Sequence, residues 1–198
     1  MILEIIQYGH PVLRAKGQRV ERVTPAVRQL AADMVQTMYA AEGVGLAAQQ
    51  VGQTLLLTVI DVTVSEQPSE MLINGQPQDL TKLVPLVLLN PVITKPAGEH
   101  SSSEGCLSIP EVNASIRRAA KITVTAQNLD GQEIQFDCTG LLARAVQHEV
   151  DHLHGILFID RMDAATKASF SGKLKKLQKE TEATLVKPAK LRRTLVKS

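Results

Sequence analysis

Cysteine is scarce in this chain of 198 residues: Cys106 and Cys138 are its two thiols. Two are too few for a disulfide framework, which excludes the stapled scaffolds of small secreted domains and leaves either one bridge or two free thiols. No apolar run approaches the roughly 20 residues that a bilayer span needs, so no membrane partner is expected. The opening ten residues have neither the pattern of a secretory signal nor the Arg-rich character of a transit peptide. Internal repeats are also missing. Together these absences predict a cytoplasmic protein. What remains is ordinary for a globular domain with a real core: 44% hydrophobic and 21% charged residues. The net charge of +2 hides an asymmetry, because residues 164–198 carry ten Lys or Arg against two acids. A basic end on an acidic body suits a polyanionic partner, or else a merely solubilising tail.

Local patterns predict the elements. Thr24-Pro25 reads as a helix cap and first-turn proline, after which Val27, Leu30, Ala31, Met34, Val35, Met38 and Ala41 recur at helical spacing until Gly43. Residues 54–62 read as a buried strand and 63–82 as a long polar loop. Residues 84–93 read as a strand near an edge, because Pro91 cannot donate to a ladder. Residues 121–128 and 132–137 form a hairpin around Asp130-Gly131, with Ile122, Val124, Ala126, Ile134 and Phe136 facing inward. From Thr139 to Gly155 the period becomes helical, with Leu142, Ala145 or Val146, Glu149 and Leu153 on one face. A last helix over about 163–183 leads into a Lys/Arg-rich tail. The expected class is α+β, with antiparallel or mixed sheets packed around a central helix, and a C-terminal helix.

Two segments carry the chemistry. In His148-Glu149-Val150-Asp151-His152 the histidines stand four apart, so a helix points both imidazoles the same way. They offer two nitrogens to one divalent metal, with Glu149 beside them as a proton carrier. The downstream third ligands of zinc proteases fit poorly. Gly155 meets one metzincin requirement but Phe158 stands where a histidine is needed, and Glu180 and Glu182 lie in a lysine-rich helix. An upstream ligand fits better, and Cys106, in Glu104-Gly105-Cys106-Leu107-Ser108, is the candidate. Three protein ligands leave a fourth position for water, the composition of a catalytic site. Cys138 reads as a small buried hydrophobe, and His10, His100 and His154 have no partner spacing. A third segment, Gly43-Val44-Gly45-Leu46-Ala47-Ala48-Gln49-Gln50, lets backbone approach a ligand closely. A tight helix-to-strand connection would use the same glycines, but it leaves the polar Gln50 unexplained. The reading is a metal-dependent hydrolase, with a peptidase of the H-E-x-x-H type as the alternative.

The segments GVGLAAQQ, EGCLS and QHEVDH, in this order, resemble the three signature motifs of the peptide deformylases. The similarity runs from about residue 3 to residue 163. It implies removal of the formyl group from the initiator N-formylmethionine of nascent polypeptides. The implied catalytic domain spans residues 1–165, and residues 166–198 form a basic helix and tail. The resemblance makes Cys106, His148 and His152 the metal ligands and Glu149 the proton carrier. It makes the Gln50 amide and the Leu107 N–H the oxyanion donors. Val44, Leu141 and Ala145 match the methionine pocket, while Gly45 and Gly105 would let the peptide backbone pair like an added strand. It further implies ferrous iron (Fe2+) as the working ion, although Zn2+, Ni2+ or Co2+ suits the same donors. The ribosome near the exit tunnel becomes the partner of the basic segment. Two departures stand out: the stretch from Val62 to Leu88 is longer than in compact members, and Asn113 replaces an arginine near the substrate backbone. That contact is then weakened, or replaced by Arg117 or Arg118.

Overall fold

The computed structural model, which describes residues 1–186, sets antiparallel strands around one central helix. The first helix, α1 (Pro25–Ala40), starts where Thr24 accepts a hydrogen bond from the Val27 N–H at 3.3 Å. Its end differs from expectation: Glu42, not Gly43, takes the left-handed conformation (φ 55°). The Glu42 N–H donates to Tyr39 and the Gly43 N–H to Met38, the paired bonds of a Schellman stop. Gly43 instead packs against Leu107, whose Cδ1 would lie 2.9 Å from a Cβ there and would have to shift.

Seven strands form the main sheet. They are β1 (Gly45–Ala47), β2 (Leu57–Ile60), β3 (Ser69–Ile73), β4 (Gln76–Pro77), β5 (Leu86–Ala97), β8 (Lys121–Gln127) and β9 (Glu133–Thr139). Their spatial order is β1-β2-β5-β8-β9-β3-β4. Strands β6 (His100–Cys106) and β7 (Ile109–Arg118) pair as a separate hairpin. Ile122, Val124, Ala126 and Phe136 alternate into the core as expected from β8 and β9.

Two strand expectations are corrected. Residues 63–82 are not one loop, because Asn74-Gly75, both at positive φ, turns β3 into β4. β3 then pairs with β9, placing Met71 opposite Cys138. β5 is a central strand, not an edge. Its register shifts between Leu89 and Val92, so Pro91 falls in a bulge where no ladder bond is asked of it. Asn90 closes the bulge: its side chain bonds both the N–H and the carbonyl of Val20, at 2.8 and 2.9 Å.

Helix α2 (Gly140–Leu153) buries Leu141, Leu142, Ala145 and Val146 against the sheet, and Gly155 (φ 73°) stops the chain beyond it. The expected last helix is two, α3 (Ala164–Ser169) and α4 (Ser171–Val186), broken at Phe170. α4 packs Leu174 and Leu177 against a cluster that includes Leu13, Ile109 and Phe158. No described helix is long and apolar enough to cross a membrane.

Candidate active site

Cys106 ends β6, and α2 runs past it with His148 and His152 on the facing side. Potential donor atoms of these three residues lie within 4.8 Å of one another, a grouping found nowhere else among the described residues. Cys106 Sγ is 3.3 Å from His152 Nε2. Metal–sulfur and metal–nitrogen bonds of about 2.3 and 2.1 Å at a tetrahedral angle put such atoms about 3.6 Å apart. The donor set therefore fits a borderline-soft divalent cation. His10, His100 and His154 stay outside the cluster, as do Glu180 and Glu182, so no downstream residue completes a peptidase-type site. Both cysteines are free, which removes the bridge. Burial pushes the Cys138 thiol up to about 12, in keeping with a packing role.

The two histidines are held differently. His148 Nδ1 faces Glu104 Oε2 at 3.0 Å, which turns Nε2 toward the sulfur side. Burial works to lower His148, but its bonds to Cys106 and Glu104 outweigh that and hold it up at about 10. For His152, burial and the charges of His148 and Arg118 act together and keep the ring neutral. A cation held by Cys106, His148 and His152 would take the place of the His148 proton.

Behind His148 lies a chain of charges that the sequence reading did not identify. The Arg118 guanidinium donates to both oxygens of Glu104, at 2.6 and 2.9 Å, and to Asp151 at 2.7 Å. Arg161 donates to Asp151 at 2.6 Å. The chain ties β6, β7, α2 and the segment after α2 together. Spacing gave a usable hint: Glu104 sits two residues before Cys106 on one strand, and Asp151 precedes His152. Arg118 is thereby committed to structure and does not replace the substrate arginine. Arg117 pairs with Glu99 at 3.7 Å, away from the cavity. Neither lines it.

Glu149 is buried, and burial pushes its carboxyl up to about 7 despite the opposing pull of His148 and Arg118. One side of that carboxylate rests on Gly45, where a Cβ would stand 2.5 Å from Oε1. Gln50 is fixed by its oxygen, which accepts from the Ala47 N–H at 2.8 Å. Its Nε2 is left 3.6 Å from Cys106 Sγ and 3.3 Å from Ser108 Oγ. The Leu107 carbonyl accepts from Gln7 Nε2 at 3.4 Å.

A cavity of about 500 Å³ opens over these groups. Val44, Gly45, Gln50, Gly105, Cys106, Leu107, Leu141, Ala145, His148 and Glu149 all line it. Of the catalytic, pocket and metal-binding residues that the sequence implied, only the deeply buried His152 does not. Asn113 also lines the cavity, its Oδ1 resting against Gly105. Ser65, Gln67 and Arg144 do too, and no sequence pattern pointed to them.

The chain as a whole has counterparts among known proteins. The family model for polypeptide deformylase matches residues 2–168. A peptide deformylase of Opitutus terrae is 41% identical over 185 residues, covering 92% of this chain and 96% of that protein. One from Dictyoglomus thermophilum is 43% identical over 161 residues, covering 81% and 93%. Among solved structures, an Arabidopsis thaliana peptide deformylase in complex with an inhibitor superposes with a TM-score of 0.80 at 32% identity, covering 96% of this chain and 98% of that one. The Synechococcus elongatus peptide deformylase in complex with actinonin gives 0.73 at 36%, covering 91% and 88%. With residues 2–168 matched by the family model, relatives above 40% identical over most of the chain and a shared fold, the chain belongs to the peptide deformylase family.

Proposed function

We propose that this enzyme removes the N-formyl group from N-formylmethionyl peptides by a hydrolysis in which Cys106, His148 and His152 hold a metal and Glu149 moves the proton. The observation that carries this reading is the convergence of those three donors beside a buried carboxylate in one cavity. A divalent cation held there supplies the Lewis acidity that brings water ionisation within reach of neutral pH. Glu149 accepts the proton from water and returns it to the departing amine, a task suited to a carboxyl raised toward neutrality. The Gln50 amide and the Leu107 N–H donate to the formyl oxygen as it gains charge. Val44, Leu141 and Ala145 form the apolar wall for the methionine side chain, while Gly45 and Gly105 leave room for the peptide backbone. The products are formate and the free N-terminal methionine.

Ferrous iron is the ion assigned to the working enzyme, and a reducing cytoplasm keeps the Cys106 thiolate and the iron intact. Residues 1–165 carry the reaction. Residues 166–198 form a basic segment that meets the ribosome, a dense polyanion. Lys175, Lys176 and Lys179 are exposed on α4. Lys187, Lys190, Arg192, Arg193 and Lys197 lie outside the described residues.

Metal content and formate release, measured together on wild type and Cys106→Ala, test the central reading. Loss of both in the variant supports it; full activity in a variant that binds no metal rejects it. Iron-loaded enzyme should lose activity in air faster than zinc-loaded enzyme. Truncation after Val186 should preserve turnover of short formyl peptides while weakening ribosome binding in a salt-dependent way. Equal ribosome binding by both forms rejects a docking role for residues 187–198.

A further inference from the structure

Arg144 is a cavity-lining residue for which the mechanism has no use, and it carries a charge. It stands one turn before His148 on α2 and is only 9% exposed, yet Nη1 has no hydrogen-bond partner among the described residues. Buried cations are normally paired, because removing a charge from water is costly. The carboxylate whose field reaches it, Glu104, is already saturated: Arg118 occupies both oxygens, and His148 shares Oε2. Arg118 itself adds like charge nearby. Burial accordingly works to lower Arg144 from its ordinary value. The residue lines the cavity, and its guanidinium is a planar fork of donors, a geometry matched by a carboxylate.

We propose that Arg144 forms a carboxylate-binding subsite inside the substrate cavity, filled either by the formate that the reaction releases or by an acidic side chain following the formyl-methionine. This rests on the deformylase reading for the origin of both ligands, but the subsite itself can be read without turnover. A backbone carbonyl would accept the same hydrogen bonds, but only an anion also compensates the buried charge. Formate brings that charge with every turnover. An acidic second residue would bring it with the substrate and make Arg144 a specificity determinant.

Two measurements on metal-loaded wild type, Arg144→Gln and Arg144→Lys separate the sources. The first is calorimetric titration with sodium formate, using sodium chloride as a control for ionic strength. The second is the ratio of kcat/KM for formyl-Met-Glu-Ser over formyl-Met-Gln-Ser within each enzyme, so that any general loss of activity cancels. A formate subsite predicts binding that weakens roughly ten- to a hundredfold in Arg144→Gln, the range expected for a charge-assisted pair. A peptide subsite predicts that the Glu/Gln ratio falls by a similar factor in Arg144→Gln. In either case Arg144→Lys should recover part of the loss, because it keeps the charge without the fork. Removing an unpaired buried cation should leave the thermal midpoint level or higher, so misfolding does not mimic the result. The calorimetric arm reports on Arg144 even if no peptide is deformylated, which distinguishes failure of the subsite from failure of the assigned reaction. Equal formate affinity and an equal Glu/Gln ratio in wild type and Arg144→Gln overturn the proposal.

Discussion

Glu149 has one carboxylate oxygen, Oε2, buried without a hydrogen-bond partner among the described residues, and the other pressed against Gly45. A group so placed can exchange a proton without first breaking a hydrogen bond at that oxygen. Glu149→Ala should retain its metal, since no ligand is touched, while formate release falls about 10²- to 10⁴-fold. Metal analysis beside a formate assay checks both halves, and retained activity removes Glu149 from the reaction. Gly45→Ala makes a complementary test, because its new methyl group would displace the carboxylate. The expected outcome is lower kcat with fold and metal content preserved. Cys106, His148, His152 and Glu149 were legible in the sequence because spacing and donor chemistry restrict what such residues can do. The reason for Gly45 was not. Its contact joins residues about a hundred positions apart, and no local pattern records it.

Among the elements, β7 and α2 meet through charge, Arg118 to Asp151. Glu104 orients His148, and Arg118 holds Glu104, so Glu104→Gln should weaken metal affinity about 10- to 100-fold. Competition with a chelator measures this, and unchanged affinity means that the carboxylate has no role in orienting the ring. Amphipathic elements were readable from sequence: α1, α2 and the β8–β9 hairpin follow apolar spacing because each has one face to bury. The elements misread are those whose evidence is not apolar. The turn between β3 and β4 was marked by Asn74-Gly75, but its strands are mostly half-buried or exposed and show little alternation. β5 was placed near an edge because Pro91 was judged alone, whereas the bulge at Asn90 accommodates it inside the sheet. Arg144 escaped notice because a buried arginine amid apolar neighbours resembles an ordinary surface position in one dimension.

For the molecule as a whole, acid is the most informative perturbation. Burial works to raise Asp61 and Asp160, yet donors from Tyr39 and Thr63 in one case and Arg14 in the other hold both below the ordinary aspartate value of 3.8. Each folded-state value is depressed, so each contributes stability that is fully present above the unfolded value. That contribution is lost as pH falls through the lower folded one. The contribution of these two aspartates to the thermal midpoint should therefore stay level from neutrality to about pH 5 and be lost below about pH 4. Asp160→Asn should shrink that drop; calorimetry across this range would detect it, and an unaltered acid limb would remove Asp160 from the account. The placement of the metal donors has a mechanical side as well. One anchors the end of a two-stranded arm, and two belong to the helix at the centre, so a cation fastens parts that the chain itself joins only through long detours. Stripping the ion should lower the melting temperature and open residues 100–118 to proteases before the rest. The ion proposed to activate water would then be a rivet as well, and catalytic competence and the closure of this arm should be lost together.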